Sequence, residues 1–219
     1  MTEENPRRTG RPPLTDSAAL LAAARRIGFV DLTVGAVTAA VGVKYSTFYR
    51  HFPSVESLLS ALVDQVLDET PFPEPGPPWQ EHLARTSATM FDLLRSHPGL
   101  AQALARLPER PDRLVEIWAG TTDVLLAAGF SGKDAVLGAT GAFELAIQPW
   151  IDSPGTGAGG AVRREQARAL RHPIDDRIRE AMAAAVDDPP AGWIRDKVDL
   201  LIQGLATRLP APGADPTTV

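Results

Sequence analysis

The sequence predicts an all-α protein in two parts, an N-terminal three-helix head and a larger C-terminal helical body. Three observations carry this. Apolar residues recur at helical spacing along most of the chain, and no segment alternates as a half-buried strand would. The block Leu32–Phe52, LTVGAVTAAVGVKYSTFYRHF, reads as helix, glycine turn, helix. Thr70–Trp79, TPFPEPGPPW, sets five prolines between two helical stretches, where no helix can continue.

The head begins after Met1–Pro13, which has three prolines and no periodicity and reads as a mobile basic arm. Its Arg7, Arg8 and Arg11, spaced by Thr, Gly and Pro, suit the narrow minor groove of A·T-rich DNA, or else a solvated tail. Thr15 is placed to cap a first helix with Leu20, Ala24 and Ile27 inward, closed by Gly28. Thr33 caps the second, its hydroxyl satisfying a free N–H of the first turn. Val34, Val37 and Val41 give that helix an apolar face. Gly42 ends it in the left-handed conformation, and Val43 plugs the angle. A short helix over Tyr45–His51 then turns Phe48 and Phe52 inward, leaving Lys44, Tyr45, Ser46, Thr47, Tyr49, Arg50 and His51 outside.

Helix, glycine turn and helix of this size form a helix-turn-helix, whose second helix enters the DNA major groove. The same pattern also occurs as plain packing. The outer face favours DNA, since it carries cations, hydroxyls and tyrosines and no acid. Ser54 starts a fourth helix, with Leu58, Leu59, Leu62, Val66 and Leu67 on its apolar side.

Charge is divided unevenly. Residues 1–52 hold seven Lys or Arg against four acids, a balance of +3, on a chain of net charge −5, which leaves −8 on the remainder. A basic head on an acidic body is the asymmetry expected of a DNA-binding protein. The chain has no cysteine, so disulfide and thiolate-metal chemistry are excluded. The polar N-terminus does not read as a signal peptide, and no apolar run approaches the roughly 20 residues needed to cross a bilayer. A cytoplasmic protein without membrane contact is expected.

The body is helical throughout. Glu81–Ser96 turns Leu83, Met90, Phe91 and Leu94 inward, and His97-Pro98 ends it. A short helix covers about Gly99–Leu107, and Arg110-Pro111 opens a longer one to Gly129 with Leu114, Trp118, Thr121 and Leu125 on one side. Ser131 and Asp134 form a capping-box pattern. The helix they open carries Val136, Leu137, Thr140, Phe143, Ile147 and Trp150 and is ended or kinked at Pro149. Ser153–Gly160 reads as a flexible loop, Arg163–Arg171 as a charged surface helix, and Ile174–Val186 as an alanine-rich helix. After a break at Pro189-Pro190, a last helix from about Gly192 to Arg208 carries the stripe Ile194, Val198, Leu201, Ile202 and Leu205.

No catalytic or metal-binding constellation is present. His51, His82, His97 and His172 stand apart at helix ends, as capping or solvated residues do, and no HExxH, P-loop or G-x-S-x-G motif occurs. No cofactor is expected. A small-molecule pocket between helices is a better candidate. Its lining is expected from Leu62, Val66, Met90, Phe91, Leu94, Leu104, Trp118, Thr121, Thr122, Leu125 and Phe143. Glu144 and Gln148, polar residues on otherwise apolar turns, mark either this pocket or the edge of an interface.

The head resembles the DNA-binding domain of the TetR family of transcriptional regulators. The resemblance rests on Leu32-Thr33-Val34, Ala39-Ala40-Val41-Gly42-Val43, Thr47-Phe48-Tyr49-Arg50-His51-Phe52 and Ser57-Leu58-Leu59. The body is similar, more loosely, to the tetracycline-repressor class, through Leu93-Leu94, Arg110-Pro111, Gly129-Phe130-Ser131 and Asp134. The resemblance implies a helix-turn-helix domain with its connecting helix over 14–69, a boundary over 70–79, a ligand-binding and dimerisation domain over 80–209, and a disordered tail over 210–219. It also implies a homodimer on a palindromic double-stranded operator, most simply a repressor released by a small-molecule effector. An activator of the same fold, or a helical ligand-binding protein without DNA binding, remains open.

Within that picture Tyr45, Ser46 and Thr47 would meet base edges. Lys44, Tyr49 and His51 would meet phosphates, with Thr33 and the arm arginines in the same interface. Helices around 133–151 and 192–208 would pair across the two-fold axis, with Gly138, Ala139, Gly141, Ala142 and Ala146 permitting close approach there, or else packing inside one subunit. Two departures stand out. Lys44 replaces the small residue that usually caps the recognition helix, and Arg106 lies near the place of the histidine that holds magnesium in tetracycline repressors. The magnesium–tetracycline ligand is therefore not expected, and the effector is left unidentified.

Overall fold

A computed structural model describes residues 17–151, 175–187 and 190–209. All regular structure among them is helical: α1 Ser17–Ile27, α2 Val34–Val41, α3 Tyr45–His51, α4 Val55–Asp68, α5 Trp79–Ser96, α6 Leu100–Arg106, α7 Asp112–Ala127, α8 Gly132–Ile151, α9 Asp176–Asp187 and α10 Pro190–Ala206. The chain divides into two compact units, Met1–Leu62 and Val63–Val219, so the division falls within α4. The arm with Arg7, Arg8 and Arg11, the cap at Thr15, the loop 153–160, the helix expected over 163–171, His172 and the tail from Ala211 lie outside the described residues.

In the first unit, Leu20, Ala23, Ala24, Val37, Phe48 and Leu58 are fully buried in one cluster, with Val34, Val41 and Val43 packed against it. The expected caps are in place. Thr33 Oγ1 accepts the Ala36 N–H at 3.0 Å. Gly42 has φ 75° and donates its N–H to Thr38 and Ala39, and Val43 also donates to the Thr38 carbonyl, at 3.0 Å. At the start of α4, Ser54 and Ser57 cap each other: each backbone N–H donates to the other's hydroxyl, at 3.1 and 3.2 Å. Lys44 takes the N-cap position of α3 in an extended conformation and supplies no side-chain hydrogen bond there.

In the second unit α5 runs through the core and packs against α8, α10 and α7. Trp79 begins α5, earlier than its sequence suggested, and meets the edge of Phe130 at 4.9 Å between ring centres. The Ser131–Asp134 cap forms, and Arg208 reaches back to Asp134 at 2.6 Å. The Ser131 hydroxyl, then Arg208, holds the Asp134 carboxyl below its ordinary range.

Three details of this unit refine the sequence expectations. Val136 and Leu137 are 42% and 50% exposed; the inward face of α8 is the small-residue stripe Ala135, Gly138, Ala139, Ala142 and Ala146, together with Phe143. That stripe serves packing inside one chain. A Cβ on Gly138 would stand 2.8 Å from Leu205 Cδ1 and 3.0 Å from Leu125 Cδ1, and one on Gly141 3.3 Å from Leu201 Cδ2. The stripe therefore admits α10 and α7 of the same subunit rather than a second copy. Finally, Pro190 is the first residue of α10 rather than part of the break before it. Proline suits a first helical turn, which leaves its N–H groups unused.

Two outcomes follow. Gly138→Val should overpack the contact with Leu205 and Leu125 and lower stability by about 1–3 kcal/mol in urea denaturation. Lys44→Ser should supply the missing cap of α3 and raise stability by about 0.5–2 kcal/mol, read as a higher melting temperature.

Candidate nucleic-acid interface and ligand cavity

The α3 helix has seven residues. Such a helix is not stable alone and is held by what it buries. Phe48 is fully buried and Phe52 nearly so, with ring centres 6.0 Å apart. This leaves Lys44, Tyr45, Ser46, Tyr49 and Arg50 exposed, with Thr47 and His51 half-buried at the edges. Tyr49 meets Phe48 edge-on at 5.3 Å, so its ring is propped outward from the core. Thr33 is exposed at the start of α2, its hydroxyl engaged in the cap. The structure thus brings Thr33, Lys44, Tyr45, Ser46, Thr47, Tyr49 and His51 together within one unit, around two helix starts. Arg50 adds a second cation, and no acidic side chain interrupts Lys44–Phe52.

In the second unit a mostly apolar cavity of about 1070 Å³ opens between α6, α7 and α8. Of the residues expected to line a pocket, Leu104, Trp118, Phe143, Glu144 and Gln148 do so. Trp118 Nε1 donates to Thr140 Oγ1 at 3.2 Å across the wall. Arg110, unassigned in the sequence reading, lines the cavity and donates from Nη1 to the Leu104 carbonyl at 3.1 Å. Its place in an Arg-Pro pair at a helix start was the available signal. Glu144 is exposed at the cavity, not buried.

The other expected lining residues belong elsewhere. Leu62 is part of the first unit's core. Val66, Met90, Phe91, Leu94 and Leu125 are buried core side chains and do not line this cavity. Thr121 and Thr122 turn their hydroxyls back to the carbonyls of Ile117 and Trp118, each at 2.9 Å. Hydroxyls bonded to their own helix are not presented to a cavity.

His82 also departs from expectation. It is 6% exposed, with Nε2 3.3 Å from Thr121 Oγ1 and 3.5 Å from Thr86 Oγ1, and burial pushes its pKa down. It is a core residue, because α5 starts two residues earlier than the sequence suggested and carries it into the helix. His97 caps the end of α5, with Nδ1 3.0 Å from the Leu93 carbonyl. Among the described residues no group of three or more His, Cys, Asp or Glu could hold a metal ion, and no helix is long and apolar enough to cross a membrane.

Residues 17–62 match the family model for bacterial regulatory proteins of the tetR family. The HTH-type transcriptional regulator EthR of Mycolicibacterium smegmatis is 30% identical over 134 residues, 56% of this chain and 61% of that protein. The chain thus spans less than two thirds of the curated relatives it matches. Apo ActR of Streptomyces coelicolor superposes with a TM-score of 0.72 at 17% identity, over 90% of this chain and 97% of ActR. BioQ, known from Mycobacterium smegmatis, has been solved with its double-stranded DNA operator; that structure superposes with a TM-score of 0.63 at 21% identity, over 88% of this chain and 98% of BioQ. Residues 17–62 thus match the DNA-binding region of the tetR family of bacterial regulatory proteins, and the chain as a whole shares the fold of ActR and BioQ.

Proposed function

We propose that the chain is a sequence-specific DNA-binding transcriptional regulator, a repressor that acts as a homodimer and leaves its operator when a small molecule binds the body. The observation that carries this is the outer face of α3, exposed and free of acids, held out by Phe48 and Phe52 beneath it. Lys44, Tyr49 and His51 neutralise or bond phosphates; Tyr45, Ser46 and Thr47 read base edges. The arm arginines Arg7, Arg8 and Arg11 add minor-groove or phosphate contacts. The regulator names of the curated relatives and the operator complex of BioQ support the reading.

A palindromic operator needs two heads about 34–36 Å apart, hence a two-fold partner. The outer faces of α8 and α10 suit that role, with Val136, Leu137 and Leu200 exposed, Leu200 at 68%. The small-residue stripe is already used inside the chain and is not part of this proposal. The cavity between α6, α7 and α8 is large enough for a drug-sized effector. Helix α7 lines it through Leu114 and Trp118, and Arg113 at the start of α7 pairs with Asp68 of α4 at 3.4 Å. Because α4 belongs to both units in sequence, a shift of α7 acts on the helix that leads to the head. A coupling of roughly 1–3 kcal/mol corresponds to a 5–150-fold loss of DNA affinity.

The experiment is footprinting of the DNA upstream of the protein's own gene, with Tyr49→Ala and Leu200→Glu beside the native chain. The native protein should give a short two-fold-symmetric footprint that weakens steeply with salt. Tyr49→Ala should lose it while staying dimeric, and Leu200→Glu should lose it by becoming monomeric. A native protein with no affinity for any duplex, at low salt, would end the regulator reading.

A further inference from the structure

The hydroxyl of Tyr45 lies over α2 at a point where the chain puts no side chain in its way. A Cβ built on Gly35 would stand 2.8 Å from Tyr45 Oη and 3.9 Å from Tyr45 Cζ, with Thr33 Oγ1 also at 3.9 Å. The first distance is shorter than real Cβ contacts allow; the other two are ordinary contacts. Gly35 has no backbone reason to be glycine. The described glycines with positive φ are Gly28, Gly42, Gly99 and Gly129, whereas Gly35 sits in the first turn of α2. Alanine is the better helix former there. What glycine supplies at this position is space, and the atom that uses the space is the Tyr45 hydroxyl.

Tyr45 is the first residue of α3 and is 56% exposed, so the notch does not bury its ring. It restricts the ring's direction. An exposed tyrosine on an open helix face samples several rotamers, and binding must then pay to order it. A ring already laid into a notch on the neighbouring helix loses less freedom on docking and meets one base position rather than several.

We propose that Gly35 is a positioning residue of the DNA interface: its missing side chain forms the notch that presets Tyr45, and so sharpens operator selectivity without touching DNA itself. This rests on the DNA-binding reading above. The effect belongs to selectivity because phosphate contacts, which set affinity for any duplex, come from other side chains.

The test is a mutant cycle of Gly35→Ala, Tyr45→Phe and the double variant, in the full chain, against the footprinted operator and a random duplex. Gly35→Ala should bind the operator about tenfold more weakly, within the range of a lost base contact. Its affinity for random duplex and its melting temperature should not fall. In the Tyr45→Phe background the same substitution should cost less than about twofold, because only the hydroxyl meets the new methyl. In the DNA-free protein, Gly35→Ala should shift the NMR ring signals of Tyr45 and leave those of Phe48 and Phe52 in place. Operator binding unchanged by Gly35→Ala, an equal cost in both backgrounds, or unmoved Tyr45 ring signals would each overturn the proposal. If Tyr45→Phe alone abolishes operator binding, the ring signals decide. If the native chain binds no DNA, the regulator reading falls, and the ring signals still report whether the notch sets Tyr45.

Discussion

The burial of Phe48 is the constraint on which the head depends. A seven-residue helix has almost no stability of its own, and α3 also lacks a side-chain cap at Lys44. What holds it is one ring, fully removed from water among Leu20, Ala24, Val37 and Leu58, with Phe52 beside it. Burying such a ring is worth about 1.5–3 kcal/mol, comparable to everything the helix would otherwise lack. The same burial fixes the rotation of α3 about its axis. With Phe48 inward, Tyr49, the next residue and about 100° round the helix, points outward with Lys44, Ser46 and Arg50, and Tyr45 is exposed at the helix start. The interface is therefore a by-product of core packing, which is the economical way to hold polar side chains at fixed positions on a surface.

The body solves a different problem. Its α8 must pass close to α5, α7 and α10, and it does so by carrying glycine and alanine on the inner face. Close approach gains dispersion contacts that larger side chains would prevent. The larger residues Val136 and Leu137 are left outside, where Leu200 of α10 is also exposed. One helix thus has two apolar faces, a smooth one packed within the chain and a bulky one exposed on its surface. The cavity exists on the remaining side, where Trp118, Phe143 and Arg110 stand between α6, α7 and α8 without filling the space.

What was legible in the sequence follows from the range of each interaction. Thr33, Gly42 and the Ser131–Asp134 cap act over three or four residues, and all formed as expected. Phe48 and Phe52 were legible because helical spacing separates one face from the other. The inner face of α8 was not, because hydropathy favours Val136 and Leu137 over glycine and alanine, while packing distance favours the reverse. The burial of His82 was not legible because Pro77 and Pro78 mask the start of α5; the helix begins at Trp79, which places His82 a turn inside. Of the thirteen residues expected at a pocket, five border this cavity, since helical periodicity says which residues are inward but not whether they meet a neighbour or a void. The pairing of Gly35 with Tyr45 depends on a rotamer and could not be read from spacing at all.

The most direct measurement of the central claim is an NMR titration of the full chain with a duplex, at low salt, following backbone amides. The account predicts that the perturbed amides cluster on Lys44–His51 and around Thr33, and that the perturbations fade as salt is raised. Perturbations confined to the body, with α3 unmoved, would contradict it.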